Sequence, residues 1–127
     1  MLFRSHIEFL GAMDGIERVL ADADLFLSAS ETESFGLSML EAMSCGVPCV
    51  STRVGGVAEV LGETGALTPL DDPAALAAAA MPFLQDAAFY RMQSSMVRAR
   101  AVAEYASERV VGRYVELYER LLCRGSC

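Results

Sequence analysis

Apolar positions in this chain switch between two spacings, and the switching orders its elements. His6 to Leu10 alternate polar and apolar and stop at Gly11, which predicts a short strand entering a loop, with His6 at its edge. Ile16, Val19, Leu20 and Ala23 recur at helical spacing behind Asp14, a residue suited to cap that helix. Leu25-Phe26-Leu27-Ser28 is then the short apolar run of a strand buried on both faces of a parallel sheet.

Ser34 reads as the N-cap of a second helix, in which Leu37, Leu40, Ala42 and Met43 keep helical spacing up to Gly46. Val47 to Thr52 is another apolar strand, with Pro48 at its entrance where a missing N–H does least harm. Gly55-Gly56 open a short helix containing Glu59, which is expected to orient that loop, and Gly65 to Thr68 form a last small strand. Asp72 as cap and Pro73 at the first position start a helix through about Leu84, which Pro82 ends or kinks. Two further helices run from about Asp86 to Ala103 and from Ser107 to Cys123, the latter with a stripe of Val110, Val111, Tyr114, Leu117, Tyr118 and Leu121 that reads as core-facing. The order of elements is that of an α/β fold: a parallel sheet with helices on both faces.

A length of 127 residues suits a single domain, 1–127, and 54% hydrophobic residues support a packed core. A net charge of −7 leaves no basic stripe for nucleic acid, so any anionic ligand has to be held locally. The start at Met1 leads into no apolar signal region, and no run approaches the ~20 apolar residues of a membrane span, so the chain is expected to be cytoplasmic. Cys45 and Cys49 surround a turn into the apolar strand, Cys123 and Cys127 sit at the C-terminus, and His6 is the one histidine, which favours free thiols over a metal site.

The candidate chemistry lies in residues 32–56, TESFGLSMLEAMSCGVPCVSTRVGG. Glu33 falls just before the second helix and Glu41 within its apolar face, where a buried carboxylate needs a rim, a donor or a ligand hydroxyl. Phe35-Gly36-Leu37 would form the first turn, whose N–H groups lack partners, and Gly36 adds no bulk against an approaching diphosphate. Carboxylates beside such a turn suit the paired hydroxyls of a sugar or ribose, so Glu33, Ser34, Phe35, Gly36, Leu37 and Glu41 are expected to converge on one pocket. Arg53 could reach a phosphate or merely pair with a neighbouring acid; Gly55 and Gly56 allow close backbone approach, although turn geometry alone would also select them.

At these residues the sequence resembles the nucleotide-sugar-binding domain of retaining GT-B glycosyltransferases of the large family-four group. The match is the Glu-x7-Glu signature from Glu33 to Glu41 with Ser-Phe-Gly-Leu inside it, then Glu-Ala-Met, Gly-Val-Pro, and Gly55-Gly56-x-x-Glu59. The resemblance implies half of a Rossmann-like GT-B donor domain. It implies that Glu33 contacts the transferred sugar and is the catalytic residue, that Glu41 holds the ribose hydroxyls, and that the backbone of Phe35-Gly36-Leu37 meets the diphosphate. It implies no metal and no cofactor, the nucleotide-sugar donor, UDP-linked, being a substrate. The Ser-Thr-Arg-Val-Gly-Gly run looks most like the bacillithiol-pathway branch, the N-acetylglucosaminyl-malate synthases, which transfer N-acetylglucosamine from a UDP donor to L-malate.

The resemblance also marks what is missing. The acceptor domain and the upstream glycine, arginine and lysine positions that neutralise the leaving diphosphate have no counterpart here, and Arg4 and Arg53 are the nearest basic residues. The chain is therefore expected to be the C-terminal, donor-binding fragment of a longer transferase, with its last helix crossing to the other domain and part of its stripe exposed. The rival is a non-catalytic nucleotide-binding remnant, or a self-associating module such as a homodimer.

Overall fold

The structure is a computed structural model that describes residues 6–124. Its elements are α1 (Ile16–Ala21), β1 (Phe26–Ser28), α2 (Leu37–Ser44), β2 (Cys49–Thr52), α3 (Val57–Leu61), β3 (Ala66–Thr68), α4 (Pro73–Gln85), α5 (Ala87–Tyr105) and α6 (Ser107–Arg124). The three strands pair in parallel in the order β1-β2-β3, with Leu27 opposite Val50 and Thr52 opposite Thr68.

Helices cover both faces, as the alternation of elements predicts. Side chains alternate across β2: Cys49 enters a core with Met39, Met43, Val60 and Val97 from α2, α3 and α5, whereas Val50 packs on Leu76, Ala80 and Phe83 of α4. The longer α5 ties the elements together. Its Arg98 donates to the Ser44 carbonyl, and its Arg100 to the carbonyls of Glu59 and Val60, satisfying acceptors left over at the ends of α2 and α3. Gln93 accepts from the Gly65 N–H ahead of β3.

Several local expectations are corrected. His6 to Leu10 form no strand, and Phe9 is 94% exposed; alternation makes no strand where no neighbour offers a ladder, and β1 pairs only with β2 among the described residues. Asp14 does not cap α1, whose N-cap is Gly15 with no side-chain bond. β1 is an edge strand rather than one buried on both faces, which leaves Leu27 52% exposed. Pro82 does not stop α4, which closes at Gln85; its cap Asp72 is as expected, the carboxylate accepting from the Ala75 N–H at 2.8 Å. Asp86 then caps α5 by accepting from Ala88 and Phe89.

The largest correction concerns α6. Its stripe does not face the core: Val111, Tyr114, Leu117, Tyr118 and Leu121 are exposed and Val110 is half-buried, and the helix packs mainly along α5, where Arg113 bonds Glu104 at 2.6 Å. Periodicity identified the residues that share a face, but among the described residues most of that face is left exposed.

Candidate functional site

Residues 29–36 carry the chain from the carboxyl end of β1 to the start of α2, along the sheet edge where open α/β folds receive ligands. Their backbone is held from below by the end of β2 and the β2–α3 connection. The Thr52 hydroxyl donates to the Ser30 carbonyl at 2.6 Å, and the Gly56 N–H donates to the Ser34 carbonyl at 3.2 Å. Gly55, at φ 49°, lies so close to the Glu33 carbonyl that a Cβ would overlap it, and a Cβ on Gly56 would stand 2.6 Å from the Ser34 oxygen. The close approach that this glycine pair permits is thus to the chain's own acid-bearing loop.

α2 starts differently from the sequence expectation. Ser34 is not its cap; Gly36, in the left-handed region at φ 92° and ψ 49°, takes that place, and no side chain accepts from the first-turn N–H groups. Phe35 and Gly36 therefore precede the helix, which begins at Leu37. The Phe35 ring packs edge-on to Tyr105 of α5, with centroids 5.8 Å apart, and so anchors the turn to the body.

Glu33 and Glu41 do not share a pocket. Glu33 lines an open cleft of about 700 Å³ with Glu31, Thr32, Ser34, Val54 and Gly55. Glu41 lines a second cleft of about 290 Å³, formed by Ile16, Glu17 and Leu20 of α1 against Leu37, Leu40 and Ser44 of α2, with Cys45. The first cleft ends at Ser34 and the second begins at Leu37, so the uncapped helix start falls between them along the chain. Nor is Glu41 embedded in the core: Met39, Ala42 and Met43 point inward, and Glu41 is on the exposed side of α2. Neither acid is hydrogen-bonded or ion-paired through its side chain among the described residues, so both are free to accept from a ligand.

The remaining candidates separate. Arg53 is exposed and lines neither cleft, and among the described residues its side chain pairs with no acid. Arg4 lies outside the described residues. Glu59 orients its surroundings through its backbone carbonyl, which accepts from Arg100 at 2.6 Å and from the Tyr105 hydroxyl at 3.2 Å, while its carboxylate is exposed. Cys45, Cys49 and Cys123 are free thiols; burial pushes the Cys49 thiol up to about 12, which keeps it protonated and inert, and Cys127 lies outside the described residues. Among the described residues no three His, Cys, Asp or Glu side chains gather as metal ligands, and no helix is long and apolar enough to cross a membrane.

Residues 2–86 match the family described as Glycosyl transferases group 1. The chain belongs to that family. It is 42% identical over 123 residues to N-acetyl-alpha-D-glucosaminyl L-malate synthase of Bacillus anthracis, covering 92% of this chain and 32% of the relative. It is 34% identical over 126 residues to a phosphatidyl-myo-inositol mannosyltransferase of Mycobacterium leprae, covering 95% of this chain and 33% of the relative. Among solved structures, sucrose-phosphate synthase from Thermosynechococcus elongatus superposes at a TM-score of 0.87 with 31% identity, covering 95% of this chain and 31% of that one. Anabaena Alr3699/HepE, solved with UDP, superposes at 0.86 with 26% identity, covering 91% of this chain and 33% of that one. The chain thus spans about a third of the length of these glycosyltransferases. The GT-B resemblance carried by Glu33 to Glu59 is borne out at the level of family and fold.

Sequence reasoning missed two contributors to the site. Val54 lines the Glu33 cleft, and the face of α1 formed by Ile16, Glu17 and Leu20 closes the Glu41 cleft. The spacing of Ile16 and Leu20, one helical turn apart, was the available signal, but which helix it would meet is a tertiary fact.

Proposed function

We propose that this chain is the nucleotide-sugar-binding part of a retaining glycosyltransferase, acting with an acceptor domain that the matched third of its relatives does not include. The observation that carries this reading is the pair of unpartnered carboxylates in two clefts, one before and one after an uncapped helix start. A nucleotide-sugar is long enough to need both. Its diphosphate suits the first-turn N–H groups of α2 and the positive end of that helix. Glu41 then accepts from the ribose hydroxyls, with Leu37 and the α1 face against the nucleoside. Glu33 accepts from the hydroxyls of the transferred hexosyl or N-acetylhexosaminyl group.

In this reading Glu33 and the helix start act on the two halves of one bond. Departure of the nucleoside diphosphate leaves an oxocarbenium-like sugar, which the acceptor hydroxyl attacks on the same face. Backbone N–H groups aimed at the leaving oxygens stabilise charge as it develops, and Glu33 holds the sugar in place for attack. Among the described residues no arginine lines either cleft, so further cations for the leaving group would come from outside them.

A UDP-linked donor is favoured by the family neighbour solved with UDP and UDP-glucose. N-acetylglucosamine as the sugar and L-malate as the acceptor are favoured by the relative at 42% identity. The exposed stripe of α6 is the face on which the acceptor domain would rest. Calorimetric titration of the chain with UDP and UDP-N-acetylglucosamine tests the reading: saturable heat is expected with both, and none with either overturns it.

A further inference from the structure

We propose that Thr52 is a positioning residue for the donor sugar, acting through the loop that carries Glu33; this rests on the donor-binding reading above. The loop from Ala29 to Ser34 lies outside helix and strand, so its backbone groups need other partners. Two bonds, one from the end of β2 and one from the β2–α3 connection, supply partners for two of them. At one end the Thr52 hydroxyl donates to the Ser30 carbonyl at 2.6 Å; at the other the Gly56 N–H donates to the Ser34 carbonyl at 3.2 Å. Glu31, Thr32 and Glu33 hang between these two anchors, and all three line the larger cleft.

The Glu31 and Glu33 carboxylates make no bond of their own among the described residues. Their direction is therefore set by the backbone they hang from. Thr52 is suited to hold it: the residue is 4% exposed, it sits in register with Thr68 at the end of β2, and its own carbonyl accepts from the Val54 N–H at 3.1 Å. The Ser28 and Ser30 hydroxyls, 3.1 Å apart, join the same anchor. The Glu41 cleft is built from α1 and α2 and has no part in this arrangement.

Loss of the Thr52 hydroxyl should therefore affect the sugar end of a donor and spare the nucleotide end. Thr52→Val keeps the branched shape and removes the donor. In calorimetric titrations of the full chain, Thr52→Val is expected to leave UDP affinity within about twofold and to lower the ratio of UDP-N-acetylglucosamine to UDP affinity about tenfold, the scale of one lost charged hydrogen bond. Thr52→Ser, which keeps the hydroxyl, is expected to restore the ratio, with thermal melts confirming that each variant folds. An unchanged ratio in Thr52→Val overturns the proposal, as does an equal loss for both ligands that Thr52→Ser does not rescue. Failure of the unsubstituted chain to bind either ligand would instead remove the donor-binding reading, and this proposal with it.

Discussion

A Cβ atom on Gly55 would overlap the carbonyl oxygen of Glu33. The glycine pair after β2 and the acid before α2 are thus packed backbone against backbone, and the site loop can sit where it does only because residue 55 has no side chain. Gly55→Ala meets both this overlap and a φ of 49°, so a loss of about 2–4 kcal/mol is expected in denaturant unfolding. Gly36→Ala is the informative contrast. Its φ is 92°, but the nearest atom to its Cβ is Met39 Cε at 3.5 Å, an ordinary contact, so only the backbone term of about 1–2 kcal/mol is expected.

Glu41→Ala separates binding from stability. The side chain is exposed and has no partner among the described residues, so the melting temperature should hold, with a stability change within about 0.5 kcal/mol. UDP affinity, measured by calorimetry, is expected to fall about tenfold or more as the acceptor for the ribose hydroxyls is lost.

Cys49 gives the fold an alkaline limit. Its thiol is held at about 12 in the folded chain against an ordinary value of 9.0, because burial disfavours the thiolate. Below pH 9 both folded and unfolded forms keep the proton and nothing is lost. Between about pH 9 and 12 the unfolded chain releases it and the folded chain does not, so stability declines by at most about 1.4 kcal/mol per pH unit. Urea unfolding from pH 8 to 11 should reveal that slope, and Cys49→Ala should flatten it.

The two long helices should respond in opposite ways to substitution. Val97 on α5 is fully buried, and Val97→Ala is expected to cost about 2 kcal/mol by urea unfolding. Leu121 on the α6 stripe is exposed, and Leu121→Gln should change stability by no more than about 0.5 kcal/mol in the isolated chain. An acceptor domain resting on that stripe, as proposed, would make the same substitution costly in the longer enzyme.

The contrast between α5 and α6 shows what was legible in the sequence. Local chemistry read directly: Asp72 and Pro73 start α4, β2 occupies its apolar run, and the alternation of elements gives the parallel sheet. Periodicity finds the residues that share a face, but says nothing about whether a partner lies opposite, and this accounts for the exposed stripe of α6 and for the irregular stretch at Ile7 to Leu10. Ser34 is a good cap by residue type, yet Gly36 displaced it because the chain turns through a left-handed conformation just before α2. The family motif located Glu33 and Glu41 but not their separation, which depends on α1 packing beside α2. Thr52 lies in the Ser-Thr-Arg-Val-Gly-Gly run, but nothing in that run marks its hydroxyl, and its role emerges only from the carbonyl it faces.

One donor is predicted to span both clefts across the start of α2. A crystal structure of the chain with UDP-N-acetylglucosamine tests it most directly. The diphosphate is predicted at the N–H groups of Leu37 to Met39, with the ribose hydroxyls on Glu41 and the sugar hydroxyls on Glu33. A nucleotide-sugar bound away from the start of α2, or one that reaches neither carboxylate, would contradict it.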